Sequence, residues 1–179
     1  TVCLSSQVGC PMGCLFCATG QMGFSRDLTS IEILEQAILF ARYLKKNEQK
    51  INNIVFMGMG EPFLNYDNVI KSIENFNDPN GFNIGARHIS ISTIGIPEGI
   101  KKITRLDKQI NLAVSLHAAD NDLRNKIIPL NKKYPISDVI DSVSDYLSKT
   151  KRKIMIEYIM IKNVNDQVEH AQALARLLK

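Results

Sequence analysis

The sequence predicts an α/β protein built from parallel βα units that close toward a barrel. Five short apolar runs recur along the 179 residues, and each is followed by apolar residues at helical spacing. Such alternation requires crossover connections, which make neighbouring strands parallel. Polar residues or glycines also gather where the runs end, as they do at the site-bearing face of such folds. Five units are fewer than the eight of a closed barrel, so we expect an incomplete one.

The first unit contains an irregular loop and a capped helix. We expect a short strand within residues 1–6 and no regular structure over residues 9–23, because glycine and proline recur there. A helix should begin after Thr29, which can form a capping box with Glu32. The spacing of its apolar residues predicts a buried face. The residues of that face are Ile31, Leu34, Ile38 and Ala41.

The later units repeat the order of strand, turn and helix. The predicted strands cover residues 53–57, 88–93, 111–117 and 153–161. The predicted helices run through residues 69–73, 99–105, 120–127 and 136–147, and from 167 onward. Because the strands all point the same way, the residues that follow them should converge on one face of the sheet.

Three of the four cysteines, Cys10, Cys14 and Cys17, are separated by gaps of three and two residues. Soft thiolates at this spacing indicate an iron–sulfur cluster, zinc or copper(I). Three thiolates leave one iron of a cluster open to a chelating molecule, whereas a structural zinc site is normally closed by a fourth ligand, which Cys3 could supply. A disulfide is less expected, because no secretory leader is seen and intracellular thiols stay reduced.

The composition, with 45% hydrophobic and 22% charged residues, is that of one globular domain. Its apolar runs are far shorter than the roughly 20 residues of a membrane-spanning helix, so we expect a cytoplasmic protein without a membrane contact. The net charge of +4 permits an acidic partner such as RNA but is small for a dedicated nucleic-acid binder. The basic segments 132–133 and 149–153 could contact phosphates, although such runs more often form a solvated face.

Further candidate residues stand where the later strands end. The segment Gly58-Met59-Gly60-Glu61 offers close backbone approach and a carboxylate that could accept from an ammonium group, or it is an ordinary βα turn. Ser92 and Ser115 could bind a ligand or only hydrogen-bond nearby backbone. His117 could equally be a satisfied core histidine. Phe16 could pack on a ligand ring or shield a cluster.

The sequence around these residues resembles the RlmN/Cfr family of RNA adenine methyltransferases, within the radical S-adenosylmethionine (SAM) superfamily. Cys10-x-x-x-Cys14-x-x-Cys17 matches the superfamily signature. The segments similar to the narrower family are Cys3-Leu-Ser-Ser-Gln-Val-Gly-Cys10, Cys17-Ala-Thr-Gly, Met57-Gly-Met-Gly-Glu-Pro62, Ile91-Ser-Thr-Ile-Gly95, Ser115-Leu-His-Ala118, Pro129-Leu-Asn-Lys-Lys-Tyr-Pro135 and Val164-Asn-Asp166. The first and third look more like RlmN, which methylates carbon 2 of adenine, than like Cfr, the antibiotic-resistance relative that methylates carbon 8.

The resemblance implies a TIM-like, incomplete (β/α)6 radical SAM barrel, of which this chain holds about five βα units. It implies a 4Fe-4S cluster on Cys10, Cys14 and Cys17, whose open iron chelates the amino and carboxylate groups of SAM. The other SAM contacts that it implies are Gly60, Glu61, Ser92, Ser115, Leu116 and His117. It further implies large-subunit (23S) rRNA and also tRNA as substrates, with a reducing electron donor such as flavodoxin. We expect a monomer.

In this family a radical derived from SAM takes hydrogen from a methyl group on one cysteine, and the methylene radical adds to adenine. Cys3 matches the second, resolving cysteine, which changes its interpretation from metal ligand to active-site thiol. No cysteine follows Cys17, so the methyl-carrying cysteine is absent from this sequence. We therefore expect residues 1–179 to be the radical SAM core domain of a longer enzyme, without its N-terminal accessory domain and C-terminal end. Alone, this core should bind its cofactors without methylating RNA.

Three other functions stay open at this level. One is Cfr-like carbon-8 methylation of rRNA, which gives antibiotic resistance. Another is a different radical SAM reaction, such as that of a maturase or a sulfur-insertion enzyme. The third is a zinc-stabilised RNA-binding module, which metal analysis would exclude if it found iron with sulfide.

Overall fold

A computed structural model describes all residues from Thr1 to Lys179. The strands are β1 (Val2–Cys3), β2 (Gln7–Gly9), β3 (Phe24–Asp27), β4 (Ile54–Phe56), β5 (Ile89–Thr93), β6 (Asn111–Ser115) and β7 (Met155–Glu157). The helices are α1 (Ala18–Gln21), α2 (Ser30–Lys45), α3 (Tyr66–Asn77), α4 (Pro97–Thr104), α5 (Asn121–Ile127), α6 (Ile136–Thr150) and α7 (Val168–Leu177). Two 3₁₀ turns lie at Ala86–His88 and Pro129–Lys132. None of the helices is both long and apolar enough to cross a membrane.

Five strands form one sheet in the order β1-β4-β5-β6-β7, and every neighbouring pair is parallel. The spatial order follows the chain order, as it does when βα units wind stepwise around a barrel. The structure therefore confirms the predicted α/β class and its five parallel units. The remaining strands, β2 and β3, pair antiparallel on either side of the cysteine loop.

The sheet has one covered face and one open face, because successive side chains of a strand point to opposite sides. In β5, Ile89 and Ile91 are fully buried, whereas Ser90 and Ser92 are half-buried. The covered face packs against the helices in one continuous hydrophobic core. On the open face, strand pairing aligns Cys3, Val55, Ser90 and Asn111 in one row across four strands. The open face thus carries mostly small or polar side chains.

Helix α2 begins as predicted but buries a different stripe. The main-chain N–H of Glu32 donates to Thr29 Oγ1 at 3.2 Å, and Thr29 N–H donates to the Glu32 carboxylate at 2.9 Å. Ile33 and Ala37 are fully buried, whereas Ile31 is 66% exposed and Ile38 is 38% exposed. The predicted face was therefore wrong at Ile31 and Ile38. Residues 31–40 are mostly apolar, so periodicity alone fits more than one stripe.

The expectation of an irregular segment over residues 9–23 was also wrong in part. Gly9 lies in β2, which pairs with β3, and helix α1 forms inside the loop. Cys10 N–H donates to Gly23 O at 2.9 Å and closes the neck of the loop. Gly9 has φ of +80°, and a Cβ there would collide with the main-chain oxygen of Gly23. Gly9 and Gly23 therefore permit the close pairing of β2 with β3 rather than preventing regular structure.

The last strand is shorter than the predicted 153–161. The pairing of β7 with β6 stops at Glu157. Beyond it, the main-chain N–H groups of Ile159 and Ile161 donate to side chains rather than to β6. Ile159 N–H donates to His117 Nδ1 at 3.1 Å, and Ile161 N–H donates to Asn165 Oδ1. Local side-chain acceptors thus replace the ladder and turn the chain toward α7.

Candidate cofactor site

A single cleft of about 280 Å³ lies where the cysteine loop meets the C-terminal ends of the sheet strands. The cysteine loop supplies Cys10, Cys14 and Cys17, and the strand ends supply Gly60, Glu61, Ser92, Ser115 and His117. The predicted convergence of strand-end residues is therefore present. Two predicted site residues, Cys3 and Leu116, do not line the cleft.

The three loop cysteines are free thiols in a protected position. Cys14 is buried, and Cys10 and Cys17 are half-buried. Burial, followed by the neighbouring Cys10 and Cys17, raises the pKa of Cys14 to about 12, and burial also raises the pKa of Cys10. Thiols with such a pKa stay protonated unless a bound cation stabilises the thiolate. The donor set therefore fits a thiolate-ligated metal group that supplies this positive charge.

Main-chain hydrogen bonds fix the loop directly after Cys14. Cys17 N–H donates to Cys14 O at 3.1 Å. Leu15 N–H donates to Ile127 O at 3.0 Å, which ties the loop to the end of α5. The loop thus cannot shift without disturbing the C-terminal end of α5.

Nothing in the structure resembles a closed zinc site. No group of three or more His, Cys, Asp or Glu side chains is close enough to hold one metal ion. Cys3, considered as a fourth metal ligand, is exposed on the open face of the sheet. The thiolates of an iron–sulfur cluster lie farther apart than those of a single metal ion, because each binds a different iron of the cluster.

Glu61 borders the cleft, but its carboxylate is already engaged by the backbone. It is only 4% exposed. Its two oxygens accept from Phe63 N–H at 3.0 Å and from Ile94 N–H at 2.8 Å. Burial raises the pKa of Glu61 to about 7, against the lowering effect of these bonds. The carboxylate therefore ties the turn after β4 to the turn after β5, and its role as an acceptor for an ammonium group stays a prediction.

Gly60, the residue before Glu61, shapes the turn after β4. Gly60 has φ of +100°, and a Cβ there would lie 2.6 Å from the side chain of Gln7. The side chain of Gln7 in turn accepts from Glu61 N–H at 2.8 Å and donates to Asp27 at 2.7 Å. Gly60 is thus required for the close approach of the β2–β3 hairpin to the turn after β4.

Ser92 and Ser115 share an acceptor that the sequence interpretation did not include. Their hydroxyls donate to the same oxygen, Glu157 Oε2, at 2.6 and 2.7 Å. Strand pairing places Ser115 directly opposite Glu157, and all three side chains line the cleft. The available signal was that Glu157 is the single acidic residue in the otherwise apolar stretch 154–161.

His117 is held in a defined orientation beside the cysteine loop. It has φ of +61°, and its ring meets the ring of Phe16 edge to face at a centroid distance of 4.8 Å. Because Nδ1 accepts the N–H of Ile159, the ring proton lies on Nε2. Burial lowers the pKa of His117 to about 4, so the ring is neutral at physiological pH.

Leu116 can take part only through its main chain. Its side chain is completely buried. Its N–H donates to Glu157 O at 3.0 Å, and its carbonyl accepts from Arg124 Nε at 3.0 Å. A contact from Leu116 to a ligand therefore requires sharing one of these groups.

Arg124 is the second structural residue that sequence reasoning missed. It is 1% exposed, and it donates to the carbonyls of Ile94, Ser115 and Leu116 and to Asn131 Oδ1. No carboxylate pairs with it. Burial lowers its pKa to about 10, so it stays protonated at neutral pH. Its helical spacing to the buried Ile127 could have indicated that it faces inward.

The basic residues of segments 132–133 and 149–153 lie apart from the cleft. Lys132, Lys133 and Lys149 are exposed, and Lys133 lies over the ring of Tyr134 at 4.9 Å. Lys149 forms a salt bridge with Asp145 at 2.7 Å. Their contact with RNA stays a prediction.

The curated proteins most similar in sequence include several named as RNA methyltransferases. The sequence is 53% identical over 179 residues to the "Probable dual-specificity RNA methyltransferase RlmN" of Dictyoglomus turgidum, covering 100% of this chain and 51% of that protein. It is 48% identical to the "Ribosomal RNA large subunit methyltransferase N" of Nitrosopumilus maritimus, again covering 100% of this chain and 51% of that protein. The chain therefore spans about half the length of the curated relatives it matches.

A solved structure supports the same grouping. The crystal structure of a radical SAM methyltransferase from Sphaerobacter thermophilus matches with a TM-score of 0.97 at 44% identity, over 99% of this chain and 52% of that one. The sequence profile of the radical SAM superfamily covers residues 4–175, which is nearly the whole chain. With its cysteine loop and strand-end cleft, this chain belongs to the radical SAM superfamily, whose cofactors are a 4Fe-4S cluster and SAM.

Proposed function

We propose that this chain is the radical SAM core of an RNA adenine methyltransferase of the RlmN type. Its substrates would be 23S rRNA and tRNA, and the methyl group would go to carbon 2 of adenine. The observation that carries the proposal is the convergence of Cys10, Cys14 and Cys17 with Ser92 and Ser115 on one cleft. The names of the relatives, and the segment 57–62, support the RlmN type over the Cfr type.

In this proposal the thiolates of Cys10, Cys14 and Cys17 would hold the cluster, which would supply the electron for the cleavage of SAM. Gly60 and Glu61 contact the methionine end of SAM, while the carboxylate of Glu61 and the guanidinium of Arg124 also fix the turns that surround the ligand. Ser92 and Ser115 present polar atoms to the nucleoside end of SAM. The neutral ring of His117 presents Nε2–H as a donor.

Phe16 and His117 together would limit water at this end of the cleft. Their rings pack edge to face, and both line the cleft. Exclusion of water protects a reactive radical from side reactions. The aromatic residue beside Cys17 thus serves both the cluster and the ligand.

Cys3 is proposed as the resolving thiol that releases the methylated RNA. Its side chain is exposed on the open face of the sheet, in the same row as Val55. An exposed thiol on that face is accessible to a substrate, and its position does not depend on metal binding. The methyl-carrying cysteine of this proposal lies outside residues 1–179, since no cysteine follows Cys17.

The test is anaerobic reconstitution of the chain with iron and sulfide, followed by reduction in the presence of SAM. A chemical reductant replaces the proposed flavodoxin-type donor. We expect about four irons per chain and release of 5′-deoxyadenosine and methionine. A Cys14→Ala variant provides the matched control, because it should lose both the iron and the cleavage. Binding of zinc alone, without iron and sulfide, would contradict the proposal.

A second assay addresses the substrate. The chain alone should leave RNA unmethylated, whereas a longer enzyme that contains it should produce 2-methyladenosine in 23S rRNA and tRNA. Mass spectrometry of the digested nucleosides separates this product from 8-methyladenosine. Formation of the 8-methyl product would favour the Cfr type. RNA methylation by residues 1–179 alone would disprove the proposal that the methyl-carrying cysteine lies outside them.

A further inference from the structure

We propose that Glu157 is a ligand-binding residue that accepts hydrogen bonds from the ribose hydroxyls of the bound nucleoside. The inference deepens the proposed function and rests on it, because it concerns the SAM site of that function. It assigns a role to a residue that neither the cysteine motif nor the resemblance singled out.

The first observation is the unequal use of the two carboxylate oxygens of Glu157. Ser92 and Ser115 both donate to Oε2, at 2.6 and 2.7 Å. Oε1 has no hydrogen-bond partner, and unlike Ser6 Oγ and Tyr146 Oη it is not a buried atom without one. It is therefore not sealed from solvent. Since Glu157 lines the cleft, Oε1 is accessible to a ligand there.

The second observation concerns the direction of the serine protons. Each hydroxyl has one proton, and the carboxylate accepts from both serines at shorter distances than the 3.4 Å between the two hydroxyl oxygens. Ser92 and Ser115 can therefore only accept from a ligand. Together with Oε1, they form a set of three acceptors at the ends of β5, β6 and β7. Such a set favours a ligand group that carries several O–H donors, and it repels phosphate and carboxylate groups.

A vicinal diol is the group of SAM that fits this set. A carboxylate at a strand end accepts from ribose hydroxyls in other parallel α/β folds. The alternative donor in SAM is its ammonium group, which the proposed function places with the methionine end near Gly60, after β4. Glu157 lies on β7, three strands away, or about 14 Å at the usual strand spacing. The ribose is therefore the nearer partner.

The test measures binding of SAM and of its 2′-deoxy and 3′-deoxy analogues to the cluster-loaded chain by calorimetry. The wild-type chain should bind SAM about tenfold more tightly than at least one deoxy analogue, the expected effect of one charge-assisted hydrogen bond. The Glu157→Gln variant should bind SAM about tenfold more weakly. It should lose most of the discrimination, because its affinity for that deoxy analogue changes little.

The substitution is designed to leave the fold intact. Leu116 N–H donates to the main-chain oxygen of Glu157, so the bond between β6 and β7 does not need the carboxylate. Glu157→Asp is the second variant; it keeps the charge but shortens the reach, and it should also lose discrimination. Glu169→Gln, an exposed carboxylate on α7, is the matched control and should bind as the wild type does.

Two outcomes would overturn the inference. One is wild-type affinity for SAM in Glu157→Gln. The other is that the Glu157 variants prefer SAM over both deoxy analogues by the same affinity ratio as the wild-type chain. A wild-type chain that binds no SAM would overturn the proposed function as well. Normal SAM binding without an effect at Glu157 would overturn only the inference.

Discussion

The main-chain N–H of Ile159 donates to Nδ1 of His117 at 3.1 Å and thereby joins the segment after β7 to the end of β6. The bond fixes the imidazole tautomer, because a nitrogen that accepts cannot carry the proton. The positive φ of His117 turns its ring toward Phe16 of the cysteine loop. One histidine therefore connects two strand ends with the proposed cluster loop.

His117 should stay neutral, with its proton on Nε2, down to about pH 4. Burial is the main cause of this low pKa. The ring takes up its proton in the unfolded chain near pH 6.5 but in the folded chain only near 4, so folding stability should fall as pH decreases between these values. The measurement is ¹⁵N NMR of histidine-labelled chain. Titration of His117 near its ordinary value, or a proton on Nδ1, would contradict the assignment.

Glu61 should make folding stability decrease as pH rises. Its pKa of about 7 in the folded chain lies above the ordinary 4.5, so the folded chain binds a proton that the unfolded chain has lost. Stability from this group is complete below 4.5 and is lost as pH rises to about 7. The advantage of wild type over Glu61→Gln should be smaller at pH 8 than at pH 5 by about 2 kcal/mol.

Urea denaturation of both chains, with reduced thiols and no metal, provides this comparison. All other titrating groups are common to the two chains, so their difference isolates Glu61. An advantage that grows with pH would mean that the backbone donors of Phe63 and Ile94 keep the carboxylate ionised despite its burial.

Arg124→Met should destabilise the chain by about 3 kcal/mol, because three buried carbonyl oxygens lose their donor. Arg124→Lys keeps the charge but not the planar fork, and it should fall between wild type and Arg124→Met. Denaturant titration measures both. Lys126→Met, an exposed position on the same helix, serves as the control and should change stability by less than about 0.5 kcal/mol. Equal effects at positions 124 and 126 would refute the role of Arg124.

Cys3→Ala should keep the full iron content and visible absorbance of the reconstituted chain. The thiol is exposed and lies outside the cleft, so it has no place among the cluster ligands. Cys17→Ala should lose most of its iron under the same conditions. Iron and sulfide analysis gives the result. Loss of iron from Cys3→Ala would show instead that Cys3 is a metal ligand.

Much of the fold followed from local patterns. The alternation of apolar runs and helical segments predicted five parallel units, and the capping box at Thr29 predicted the start of α2. The buried stripe of α2 could not be predicted in the same way, since its sequence offers more than one apolar face. Only packing against neighbouring elements selects Ile33 and Ala37.

The candidate site shows the same division. Sequence patterns were enough to locate the three thiolates and the positions of Gly60, Ser92, Ser115 and His117, because motif spacing and strand ends are local properties. The participation of Glu157 and Arg124 is visible only in the folded chain, since their partners lie 7 to 65 residues away along the sequence. Hydrogen bonds between distant segments depend on how strands pair and how helices cross, which local spacing does not encode.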